Sequence, residues 1–223
     1  MKKTILLATV VMTALAAQAT IYTTNWNSGF VNGTTIPDGS YSGWSDTREV
    51  NTMPAGTLTA VAVDLNLSSG WTGDLYAYLT HDSGFVVLLD RVGVPDAGAN
   101  GYGAGNLDIT LAADGFNGGG DFANIHLYGG GNSVGTLWNP DNHNAGISTT
   151  AASGSLGSFT TANGTWTLFI ADLSGGGVTT VQDWGLQMDI VAVPEIETWI
   201  AAALAGAFGA FWVNRQIWRG VSK

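Results

Sequence analysis

The chain contains no cysteine, so it has no disulfide framework, no thiol nucleophile and no thiolate metal site. Basic charge is almost missing from its long middle. Between Thr20 and Val193 the only lysine or arginine residues are Arg48 and Arg91, set against fifteen carboxylates from Asp38 to Asp189. A surface of that sign repels phosphate backbones and argues against nucleic acid as a partner. The same interval lacks any long stretch with apolar residues at helical spacing, which argues against a helical bundle. It shows no fixed-period repeat either, which argues against a solenoid or propeller.

Long apolar runs occur only near the two ends. Lys2 and Lys3 precede an apolar stretch, Thr4 to Ala17, that closes on Ala17-Gln18-Ala19. A charged start, an apolar centre and a small-x-small site form a secretory signal peptide over residues 1–19. Signal peptidase is expected to cut after Ala19, guided by Ala17 and Ala19, and the chain is expected to be exported. At the other end, Trp199 to Val213 is apolar apart from small residues, and Arg215, Arg219 and Lys223 follow. The pattern predicts a single transmembrane helix over 197–214, with Trp199 and Trp212 at the interfaces and Arg215 and Arg219 as a cytoplasmic stop.

What fills the body, residues 20–192, is Gly, Asn, Ser and Thr around short runs of period-two alternation. In TLTAVAVDLNL, Val61, Val63, Leu65 and Leu67 share one face. In DLYAYLTH, Leu75, Ala77 and Leu79 alternate with Tyr76, Tyr78 and Thr80. GFVVLLDRV follows the turn His81-Asp82-Ser83-Gly84, and the two runs read as a hairpin. NLDITL, ANIHLY, TWTLFIADL and VQDWGLQMDIV continue the series. Seven or more short strands with turn signals between them predict an all-β antiparallel sandwich or jelly roll.

Few residues suggest chemistry. His81-Asp82-Ser83 holds the three residue types of a catalytic triad, but adjacent side chains diverge and read as a turn. His126 and His143 lack ligand-spaced partners. Asp114 and Asp121 flank the GFNGGG loop and are candidate calcium ligands, since hard oxygen donors suit that ion. Trp44, Trp71 and Trp138 lie among polar, turn-forming residues and are candidates for a carbohydrate-stacking surface. No spacing selects a catalytic residue, so the expectation is a protein that is not an enzyme.

Several motifs occur in a familiar order. They are Ile36-Pro37-Asp38, Gly73-Asp74-Leu75, Leu79-Thr80 with Gly84, Gly164-Thr165-Trp166 with Leu168 and Asp172, and Trp184 with Leu186. Spread over residues 34–190, they resemble the P domain of proprotein convertases, also called P/Homo B. The resemblance implies a jelly-roll β-sandwich. Several P domains bind calcium, which adds Asp74 and Asp172 as candidate ligands at matching positions. It does not imply protease activity, because the catalytic domain that accompanies the P domain in convertases is absent from this sequence.

Residues 193–223 carry a second resemblance. Val193-Pro194-Glu195, a short apolar helix and a basic tail are similar to the PEP-CTERM sorting signal of Gram-negative bacteria, which an exosortase recognises and cuts. The implied partners are signal peptidase, an exosortase-like enzyme and the membrane, with polysaccharide as a further one. The implied destination is the cell surface, outer membrane or extracellular matrix. A permanent anchor is the alternative to sorting. A structural or binding role is expected for the body, with a carbohydrate-binding module or an accessory domain of a serine protease or glycan hydrolase system as alternatives.

Overall fold

The apolar rows of the body become strands wherever both faces of the chain are used. The computed structural model describes residues 18–129, 137–141, 155–193, 203–209 and 211–212. Nine strands are found among them: β1 Ala19–Trp26, β2 Ser40–Val50, β3 Gly56–Ser68, β4 Leu75–His81, β5 Gly84–Asp90, β6 Leu107–Ala112, β7 Leu137–Trp138, β8 Gly164–Asp172 and β9 Thr180–Ala192. They form two sheets, ordered β1-β9-β3-β6-β7 and β2-β8-β4-β5. The β1–β9, β2–β8, β3–β6, β4–β5 and β4–β8 pairings are antiparallel, and the short β6–β7 contact is parallel. Residues 19–191 are thus a two-sheet β-sandwich, as the alternation predicts.

The rows meet in one core. Val61, Val63, Leu65 and Leu67 of β3, Trp166, Leu168 and Ile170 of β8, and Trp184, Leu186, Met188 and Ile190 of β9 are all buried in a single cluster. Burial of Trp and branched aliphatic side chains is the main source of stability available to a domain without disulfides. The β4–β5 hairpin forms as expected, with His81 opposite Gly84. ANIHLY does not form a strand. Asn124 accepts a hydrogen bond from the His126 amide at 2.8 Å, and the chain turns through a 3-10 turn at Ile125–Leu127. A local side-chain bond of this kind competes with strand pairing.

One of the two body cations ties the sheets together. Asp46 and Arg48 are two apart on β2 and so share a face. The Arg48 Nε donates to Asp46 Oδ2 at 2.6 Å, and Trp184 Nε1, from the other sheet, donates to the same oxygen at 2.8 Å. Arg48 also donates to the Ser28 carbonyl at 2.8 Å, and its guanidinium stands 5.7 Å from the Trp26 ring and 5.3 Å from the Phe30 ring. Asp46 is only 4% exposed.

The sandwich has two poles. β1 begins and β9 ends at one of them, where Ala19 pairs with Val191. β3 ends, β4 begins, β8 ends and β9 begins at the other, where Leu75 pairs with Asp172. The second is called the distal pole. Gln18, residues 192–193 and the described part of the tail fall in a separate unit. Residues 203–209 and 211–212 of that unit are helical. Among the described residues no helix is long and apolar enough to cross a membrane. Residues 1–17 and much of the expected 197–214 span, with Pro194, Glu195, Trp199, Arg215 and Arg219, lie outside the described residues, as does Ala17.

Candidate functional site

Four loops meet at the distal pole, and their backbones are bonded to one another. After β3 the chain makes a buried 3-10 turn at Thr72–Asp74. Segment 99–104 lies against this turn: Thr72 N donates to Ala104 O at 3.0 Å and Gly73 N to Tyr102 O at 2.9 Å. Arg91, the second body cation, clamps the same contact by donating to the carbonyls of Gly73 at 3.2 Å and Ala99 at 3.1 Å. Gly73 is required by the approach. A Cβ there would lie 2.9 Å from Gly101 Cα and from Tyr102 N, and closer still to the Asn100 carbonyl oxygen. The third loop follows β8: Leu173 N donates to Asp74 O at 2.8 Å and Ser174 N to Asp172 Oδ1 at 3.4 Å. The fourth loop brings Asp38, whose carboxylate accepts from Gly176 N at 3.1 and 3.2 Å.

Between these loops is a cavity of about 320 Å³. It is lined by Trp71, Asp74, Asn100, Gly101, Gly103, Ser174 and Gly175. Its size is at the small end of the ~300–1,000 Å³ typical of small-molecule sites. Trp71 is 44% exposed, and its ring lies against Gly176 and Gly177 of the loop after β8.

The electrostatics of the pole are set by three carboxylates and Arg91. Asp172 is 0% exposed and its Oδ2 has no hydrogen-bond partner. Burial pushes its pKa up to about 6; the Ser174 N–H opposes the rise, and the negative charges of Asp74 and Asp38 add to it. Asp74 is also raised, chiefly by burial, with Arg91 opposing and Asp38 adding. For an acid raised in the folded state, the fold holds more protons than the unfolded chain between the two pKa values. Stability therefore falls as pH rises from the ordinary carboxylate range through about 6. Asp172→Asn removes that loss while keeping the acceptor for Ser174. Thermal melts are expected to show the variant gaining over wild type at neutral pH and the gain shrinking in acid; a constant offset at all pH values would contradict this origin.

The structure brings together Trp71, Asp74 and Asp172, which the sequence singled out for separate reasons. It disperses the others. Trp44 and Trp138 are each 1% exposed and cannot offer a stacking face. Trp44 turns inward because β2 is irregular between Ser40 and Trp44, with Gly43 at φ 59, a bulge conformation that re-aims the next side chain. Its Nε1 donates to Gly33 O at 2.8 Å. Trp138 packs edge-on against Tyr128.

Asp114 is exposed on the loop after β6, at the opposite pole, and its Oδ1 accepts from Phe122 N and Asn139 Nδ2, both at 2.7 Å. These two bonds lower its pKa and account for it as a loop staple. Asp121 is exposed nearby. Among the described residues no three acidic or imidazole side chains converge on a point where they could hold a metal ion. The four candidate aspartates therefore do not assemble a carboxylate-rich cage of the kind a six- to eight-coordinate calcium takes.

The His81 turn is structural: Nδ1 faces Ser83 Oγ at 2.8 Å, Nε2 faces the Asn163 carbonyl at 3.3 Å, and the ring stacks on Trp166 at 4.2 Å. Sequence spacing missed a buried contact at His126, whose Nδ1 lies 2.9 Å from Asp141 Oδ2. It also missed Asn100 and Ser174, which carry no local signal.

Comparison with known proteins adds little to this geometry. No family model and no curated protein matches the sequence. Two solved structures are similar in chain trace. One is the complex of the Aeromonas sobria serine protease with its chaperone, at 14% identity and a TM-score of 0.44, covering 78% of this chain and 27% of that one. The other is the Aeromonas sobria serine protease, at 15% identity and a TM-score of 0.43, covering 77% of this chain and 27% of that one. This chain spans about a quarter of the length of each, and no statement about its function follows from them.

Proposed function

We propose that the chain is an exported, non-catalytic β-sandwich of P-domain type, sorted by its C-terminal signal to the cell surface or exopolysaccharide matrix. There it binds through the pocket at its distal pole. One observation carries this reading: the bounds of the folded body coincide with the two processing boundaries of the sequence. β1 starts at Ala19, the last residue of the expected signal peptide, and β9 ends at Ala192, the residue before Val193-Pro194-Glu195. The body would lose no paired strand if both ends were cut.

The arrangement of the poles supports the same reading. β9 runs about 40 Å at ~3.3 Å per residue, and the distal pocket lies at its start while the chain leaves from its end. The pocket and the last residues of the body are thus at opposite ends of β9. Mass spectrometry of the protein recovered from the surface or matrix is expected to give a first residue of Thr20 and a last residue near Pro194-Glu195. A recovered peptide extending beyond Trp199 would show that the tail stays as an anchor.

A further inference from the structure

We propose that the distal pocket binds an amino sugar with a free ammonium group, as one residue of a cationic glycan. The inference rests on the reading of this pole as the binding face of a displayed domain, and it names the ligand class. Trp71, 44% exposed, forms one wall, with its ring lying against Gly176 and Gly177. An aromatic face accepts the C–H face of a pyranose, and it also attracts a cation standing within ~6 Å of the ring. Asn100, Ser174 and the backbone of the glycine walls give the rim a set of hydrogen-bonding groups. A ring bearing hydroxyls satisfies such a rim, whereas the methyl groups of a quaternary ammonium would leave it unpaired.

Charge narrows the class further. Asp74, 2% exposed, is among the lining residues, Asp172 lies fully buried behind Ser174, and Asp38 holds the loop that carries Ser174 and Gly175, so their charge acts on the cavity as a field. Arg91 is the positive group facing them, and its donors go to the carbonyls of Gly73 and Ala99. The pole is therefore negative in net, and Asp172 Oδ2 sits buried without a donor. A uronic or sulfated sugar would add repulsion, and a neutral sugar would leave it in place. An ammonium substituent offsets it while the ring occupies Trp71.

Calorimetry of the purified protein with a free-amine glucosamine tetramer and its fully N-acetylated counterpart tests this. The free-amine form is expected to bind at least about tenfold more tightly at neutral pH. Trp71→Ala is expected to abolish binding of both, and Asp74→Asn to remove the preference between them, each variant being checked by its melt. Equal affinity for the two tetramers, or no binding of the free amine, overturns the proposal. Equal binding of tetralysine with no effect of Trp71→Ala overturns it as well, since the attraction would then be charge alone. So does stabilisation by calcium chloride with none from the glycan, which would make the pole a cation site. If the glycans fail while the mature ends still map to Thr20 and Pro194-Glu195, the ligand assignment falls and the display reading stands.

Discussion

Arg48→Ala is expected to destabilise the sandwich by about 3–5 kcal/mol, read from urea unfolding. Asp46 is buried and shares its Oδ2 between Arg48 and Trp184. Removing the guanidinium leaves that carboxylate between the sheets with the Trp184 indole N–H as its one remaining side-chain donor among the described residues. An uncompensated buried charge costs far more than an exposed ion pair contributes, which is typically ~0–1 kcal/mol. Packing is lost too, because the guanidinium covers the Trp26 and Phe30 rings. Arg48→Lys keeps the charge without the planar fork and is expected to recover only part of the loss. Since the Asp46 side chain is 3% exposed and that of Arg48 19%, high salt should change these differences less than it would for a surface pair. A loss below ~1 kcal/mol for Arg48→Ala would mean that the network behaves as a surface pair.

The second large effect is expected at Gly73, where Ala should cost about 3 kcal/mol or more and disorganise the pocket. The added methyl meets backbone on three sides, at Asn100, Gly101 and Tyr102, and backbone cannot swing aside as a flexible side chain can. The hydrogen bonds of Thr72 and Gly73 to segment 99–104 would stretch together. Gly120 is the matched control: it has open space around a Cβ, so Gly120→Ala should be neutral or stabilise slightly, by ~0.4–1 kcal/mol, through the unfolded chain. Superimposable melts of the two variants would remove the steric account of the Gly-Asp-Leu turn.

The sandwich was legible because the large apolar residues of its central strands recur with a period of two. Val61, Val63, Leu65 and Leu67, and Trp184, Leu186, Met188 and Ile190, are all buried, and only the small Ala62 and Gly185 are buried between them. Trp44 was misjudged because the irregularity at Gly43 shifts the alternation, an event invisible in residue order alone. Trp138 was misjudged because polar neighbours mark a loop, yet its two-residue strand turns the indole inward. The distal pole could not be assembled from spacing: Asp38, Trp71, Asp74, Asn100 and Ser174 come from four separate loops, and Asp172 from the end of β8. What the sequence offered was a lone Trp beside a Gly-Asp turn and an Asp closing β8. Only pairing of Leu75 with Asp172 makes them neighbours.

The ladder between β1 and β9 joins residues 19–26 to residues 184–191. β1 therefore remains an uncovered edge until almost the last residues of the sandwich are in place. Closing so large a loop is slow relative to local hairpins such as β4–β5. The sandwich is thereby expected to zip up from its interior hairpins, with the β1–β9 seam sealing last.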